Sequence, residues 1–124
     1  MHYRDAVMWN KAMALAEQAC RLAGTLPAAE RFGLRSQLSR AAVSVPSNVA
    51  EGWSRESRRE KAQFLAIAQG SLSELHTQLL LCERLGWLAP ELLRPTYGLI
   101  DEVSRMLTTM RRKLRLEPRA TRKE

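Results

Sequence analysis

Two segments of this 124-residue chain carry polar side chains at spacings that could do chemistry. Gln37, Arg40, Ser44, Asn48 and Glu51 recur every three or four residues. On a helix such positions fall within about 80° of one another. Gln63, Gly70, Ser71, Glu74 and Gln78 also lie near one face of a second segment. Facing each other, the two stripes could line a ligand-binding or catalytic groove. The plainer reading is a hydrogen-bonded network that fixes helix register, as one buried polar residue does in coiled coils. Arg40 and Glu74 are the only charges in their segments, and each needs a partner if buried. Counted from the intervening turn, their backbones differ in height by roughly 6 Å, within reach of an arginine. An Arg40–Glu74 ion pair, within one subunit or between two, is expected. If it is buried, Glu74→Ala destabilises by about 3–5 kcal/mol.

Other reactive residues are sparse. No nucleophile, base and orienting group stand at a recognisable spacing. His2 is terminal, and His76 has no paired His or Cys at metal-ligand spacing. One helical nuclease class places Arg shortly before such a His, but Gln69, Gly70 and Ser71 hold those positions. No Gly-rich phosphate loop is present. Cys20 and Cys82 sit among apolar neighbours and read as buried reduced thiols. The chain is therefore expected to be no enzyme and to need no cofactor or metal.

Charge supplies the remaining chemistry. The net charge is +7, and the last 14 residues hold seven basic and two acidic side chains. One basic cluster is Arg55, Arg58, Arg59 and Lys61, diluted by Glu56 and Glu60. A second is Arg111, Arg112, Lys113 and Arg115, leading into Arg119, Arg122 and Lys123. Such basic ends contact phosphates without reading bases, so the eight clustered cations are candidate nucleic-acid contacts. Aromatic residues make up only 6% of the chain, which argues against a base-stacking platform. A tail that merely solubilises is the alternative. Membrane attachment is disfavoured, because the tail has no apolar face beyond Leu114 and Leu116.

Four helices must position these residues. The first, about residues 5–26, spaces Met8, Ala12, Leu15, Ala19, Leu22 and Leu26 in a 4-3-4-3-4 seam, with Asp5 as N-cap and Gly24 and Pro27 closing it. The second, about 28–53, buries Leu34, Leu38, Ala41, Ala42, Val45 and Val49. Pro46 lies inside it, giving either one kinked helix, favoured by the unbroken period, or two shorter ones. Gly52 ends it. Ser57 and Glu60 form a capping box for the third, about 58–85, with Leu65, Ala68, Leu72, Leu75, Leu79 and Cys82 inward and Gly86 as C-cap. The fourth, about 90–116, runs from Pro90 to a stop at Pro118. Nothing reads as a strand. The expected fold is all-α, an up-down-up-down antiparallel four-helix bundle over residues 1–117 with a basic tail at 118–124.

Two of these helices are unusually quiet. Between Ser36 and Ala50 only Arg40 is ionised, and between Ala62 and Cys82 only Glu74, on a chain that is 27% charged overall. Beside the polar stripe of the second helix lies a small, uncharged arc of Ser36, Ser39, Val43, Pro46, Ser47 and Ala50. Small side chains let another helix approach, so this arc suits a subunit interface. Gly70 inside a helix costs about 1 kcal/mol against alanine, which close packing would offset. The length suits one domain. The amino-terminal residues Arg4, Asp5 and Lys11 interrupt any signal-peptide pattern, and no uncharged run approaches the roughly 20 residues of a membrane span. A soluble, cytoplasmic protein is expected.

The segment Gly33 to Gly52 (GLRSQLSRAAVSVPSNVAEG), with Phe64 to Ser71 (FLAIAQGS) and Glu74-Leu75, closely resembles a family signature. It resembles the four-helix-bundle proteins encoded in 23S rRNA intervening sequences, and Trp9, Ala12 and Leu15 fit that family's first helix. The likeness covers most of residues 5–110. That family is similar to the accessory variability proteins of diversity-generating retroelements, which form basic homopentamers and work with a reverse transcriptase and nucleic acid. The resemblance implies a homo-oligomeric bundle, a pentamer foremost, without enzymatic activity. It also implies RNA or DNA, a reverse transcriptase or another RNA-processing protein as partners. Two readings follow: a scaffold binding nucleic acid through basic surface residues, or a protein–protein assembly adaptor without direct nucleic-acid binding.

Overall fold

The inward seams read from the sequence become the core of the protein. The computed structural model describes residues 2–121, with side chains described as far as Leu116. Four long helices follow one another: α1 (Val7–Ala23), α2 (Leu34–Ser54), α3 (Arg58–Arg84) and α4 (Pro90–Thr121). Short 3-10 turns at Tyr3–Asp5 and Ala28–Glu30 precede α1 and α2, and no strand occurs among the described residues. Leu15, Leu38, Leu75, Leu79, Leu93 and Leu107 are fully buried in one core that all four helices share. Truncating any one to alanine removes transfer energy and leaves a cavity, a loss of about 2–5 kcal/mol. Cys82 lies in this core and Cys20 at its edge, both as free thiols. Burial pushes the Cys82 thiol pKa up, and the Glu30 carboxylate adds to it.

The helices form a four-helix bundle in which each packs against two others: α1 with α2 and α4, α3 with α2 and α4. Side-chain bonds fix the registers. Lys11 faces Glu102 at 3.3 Å and Thr96 donates to Gln18 at 2.9 Å, so numbers climb on α1 as they fall on α4. Ser44 meets Ser71 at 2.8 Å, and Gln78 donates to Gln37 at 3.4 Å. Between α3 and α4, Arg111 donates to Gln69 at 2.6 Å and the Tyr97 hydroxyl donates to Glu83 at 2.8 Å.

Several helix ends differ from the sequence reading. Asp5 lies in the 3-10 turn, and the residue flanking α1 is Ala6, which has no side-chain cap. Segment 28–33 does not join α2, because Gly33 takes φ −109°, ψ −119° and breaks the helical run. Glu30 then caps α2 by accepting from the Leu34 N–H at 3.2 Å. Pro46 leaves α2 as one helix. Gly52 does not end α2 but is buried inside its last turn, where a Cβ would lie 3.2 Å from the Lys61 carbonyl oxygen and 3.2 Å from Phe64 Cβ. Its lack of a side chain lets the start of α3 approach. Pro118 does not stop α4, whose backbone stays helical to Thr121. A proline there removes one hydrogen bond in the final turns rather than one at mid-helix. The proposed tail thus begins inside α4, and residues 122–124 lie outside the described region.

Two terminators match expectation. Ser57 accepts from the Glu60 N–H at 3.0 Å, opening α3. Gly86 takes φ +77° just past the end of α3, and its own N–H and that of Trp87 bond back to Glu83 and Cys82, each at 3.0 Å. This is the Schellman arrangement, which a side chain at Gly86 would strain.

Candidate nucleic-acid interface

The bundle brings the two basic clusters, some fifty residues apart in sequence, to one end. The close α2–α3 turn at Gly52 sets Trp53 beside Lys61 and Leu65 of α3, and Met110 and Leu114 of α4 complete a hollow of about 270 Å³ with them. A neighbouring hollow of about 460 Å³ is lined by Ala6, Val7, Met8, Trp53, Met106 and Met110, among others, so Trp53 and Met110 belong to both. Around them stand the eight candidate cations, against the carboxylates of Glu51, Glu56 and Glu60, a surplus of five positive charges over residues 51–61 and 111–116.

These cations are held to different degrees. Arg55 is half-buried, paired with Glu51 at 2.7 Å, and its guanidinium lies 4.7 Å over the Phe64 ring. Lys61 donates to the Trp53 carbonyl at 3.1 Å and so completes the C-terminus of α2. Arg111 is tied to Gln69, whose amide also donates to Thr108 at 3.0 Å. Arg58 is half-buried, whereas Arg59, Arg112, Lys113 and Arg115 are exposed to water. The exposed four can meet a polyanion without first breaking a side-chain bond, while Arg55, Lys61 and Arg111 shape the end as much as they charge it.

The polar stripes of α2 and α3 meet, as the sequence implied, but only partly as a network. Ser44 and Ser71 share a hydrogen bond, and Asn48 donates to the Ser44 carbonyl at 2.8 Å and to its hydroxyl at 2.9 Å. Gln78 is buried and reaches Gln37, while Glu51 turns to Arg55. Arg40 and Glu74 line one polar cleft of about 520 Å³ with Gln37, Ser44 and Ser71, yet no ion pair joins them within the chain. Both are exposed, so neither needs a partner to survive desolvation. The large stability loss expected of Glu74→Ala therefore does not apply to the single chain. Within the single chain Gly70 is exposed, and a Cβ there would meet nothing within 4 Å, so no helix of the same chain packs closely on it.

His76 packs edge-on against Tyr97, with ring centroids 5.4 Å apart, at the other half of α3. Burial first, then the bond to Glu83, raises the Tyr97 phenol pKa well above its ordinary value. No group of three or more His, Cys, Asp or Glu side chains placed to hold a metal occurs among the described residues. None of their helices is long and apolar enough to cross a membrane.

Sequence reasoning missed Trp53, Phe64, Gln69 and Met110 at the basic end. Trp53 is the one with a readable signal, since it continues the apolar stripe of α2 one turn beyond Val49 and directly precedes the first cations. Gln69 carried none: its partner Arg111 is 42 residues away and only packing brings them together.

A family model, described as 23S rRNA-intervening sequence protein, matches residues 4–109. The match includes the α2–α3 cluster and ends just before Arg111. No curated protein matches the chain.

Proposed function

The chain belongs to the 23S rRNA-intervening sequence protein family, and from there we propose that it is a non-enzymatic scaffold that assembles with copies of itself and binds nucleic acid through its basic end. The observation that carries the binding is the convergence of the 55–61 and 111–115 cations around one end of the bundle. Cations drawn from two helices and the α2–α3 turn suit a polyanion with regularly spaced charges. The opposed registers of neighbouring helices support an up-down-up-down topology.

Self-assembly rests on the quiet helices. Val43, Ile67 and Leu81 are 51%, 49% and 45% exposed on the charge-poor faces of α2 and α3. Beside them an apolar groove of about 460 Å³ between α1 and α2 is lined by Tyr3, Trp9, Met13, Val43, Pro46 and Ala50. Apolar surface of this kind marks an interaction site more often than idle exterior. A ring, pentameric by family likeness, would cover it and pair each copy's Arg40 with the next copy's Glu74.

Titrating labelled RNA and DNA duplexes at several salt concentrations tests the binding. The expected affinity falls linearly with salt on logarithmic axes, with a slope of about 0.9 per phosphate contact, and Arg112→Ala with Arg115→Ala makes it shallower. An intact oligomer that binds no nucleic acid at low salt would instead leave the protein–protein adaptor.

A further inference from the structure

We propose that the basic end takes single-stranded nucleic acid, with an unpaired base seated against Trp53 and Met110 while the surrounding cations hold its phosphates. This rests on the nucleic-acid reading above and specifies the ligand class of that same site.

Apolar hollows are common on protein surfaces, but these two lie at the end that carries both basic clusters, with Lys61 lining the smaller and Arg105, beside Asp5, the larger. Trp53 is only half-buried, and with Met110 it forms a wall common to hollows of about 270 and 460 Å³. Leu65 and Leu114 supply further apolar lining, and Lys61 stands at the edge of the smaller one. A flat aromatic ring with a phosphate attached combines the two properties that this end offers: apolar faces for the hollow and negative charge for the rim. Base-on-aromatic stacking works for any base, because each has a π-face. A duplex cannot use the hollows without first unstacking a base. An acidic amphipathic helix is the other polyanion to weigh. It needs a continuous groove for anchors at i, i+3, i+4 and i+7, whereas here Trp53 and Met110 stand between the two hollows. The geometry therefore favours the single strand.

The test uses the full chain and three fluorescent probes of equal phosphate number: an oligothymidine, an abasic strand of the same backbone, and a duplex. Oligothymidine is expected to bind about 5- to 150-fold more tightly than the abasic strand, the range that stacking one base gives. Trp53→Leu is expected to bring oligothymidine down to the abasic level. If that variant fails to fold, the comparison of strands on the unaltered protein decides by itself. Equal, salt-sensitive binding of all three probes overturns the base pocket and leaves phosphate binding standing. Absence of binding to every probe at low salt overturns both readings together. An acidic helical peptide that displaces no oligothymidine supports the proposal, and one that binds this end where the strands do not overturns it.

Discussion

Ser44 Oγ and Ser71 Oγ lie 2.8 Å apart, a direct hydrogen bond between the charge-poor segments of α2 and α3. Asn48 braces it by donating to Ser44 Oγ at 2.9 Å. Together with the Gln78 to Gln37 bond, this contact fixes how far α2 slides along α3. Ser44→Ala is expected to lower stability by about 1 kcal/mol in urea unfolding, since it leaves Ser71 unpaired in a half-buried site, and Ser71→Ala by less, since Ser44 keeps the bond from Asn48. The double variant should lose less than the two singles combined, with a coupling of about 0.5–1.5 kcal/mol. Strict additivity would show that the hydroxyls act independently.

The turn after α3 depends on one backbone angle. Gly86 sits at φ +77° with open space where a Cβ would go, so any penalty there is conformational rather than steric contact with neighbours. Gly86→Ala is expected to lower stability by about 1–2 kcal/mol, and Gly86→Asn by less, because asparagine tolerates the left-handed region. Thermal unfolding of the two variants side by side measures the difference.

Tyr97 ties stability to alkaline pH. Its phenol is held protonated by burial and by the bond to Glu83, so its pKa in the folded chain lies above that of the unfolded chain, about 10. The stabilisation is fully present below pH of about 10 and is lost as pH rises through the folded value. In a Tyr3→Phe background, absorbance titration reads Tyr97 alone, and its midpoint should lie above the ordinary tyrosine value. Tyr97→Phe should flatten the fall in stability above pH of about 10. A midpoint at the ordinary value would contradict the buried bond.

Arg40, Glu74 and Gly70 separate the chain from its assembly. In the single chain Arg40 and Glu74 are exposed and unpaired with each other, so Glu74→Ala should change monomer stability by no more than about 0.5 kcal/mol. Sedimentation should show Arg40→Glu and Glu74→Arg each weakening the oligomer, and the double exchange restoring it. Gly70→Ala has room for its methyl group and should raise chain stability by about 1 kcal/mol while loosening the assembly. An oligomer indifferent to all of these changes would place the interface elsewhere.

What the sequence determined by itself was local and periodic. The 4-3 spacing of leucines and alanines named the core, since α-helical geometry repeats every 3.6 residues and burial follows that period. Ser57 and Gly86 announced their roles because capping and positive φ are properties of one or two residues. Helix ends such as Gly33 and Pro118 were harder to read, since a helix stops or continues according to a balance of bonds around it.

Only the tertiary structure decided which distant residues meet. It brought Arg111 to Gln69 and Trp53 to Met110, making one charged end out of two separate basic runs. It left Arg40 and Glu74 in one cleft without a bond, although their heights along the helices had suggested one. Height fixes only the axial coordinate of a side chain. Rotation about each helix axis, set by how the whole core packs, turned both residues outward to water.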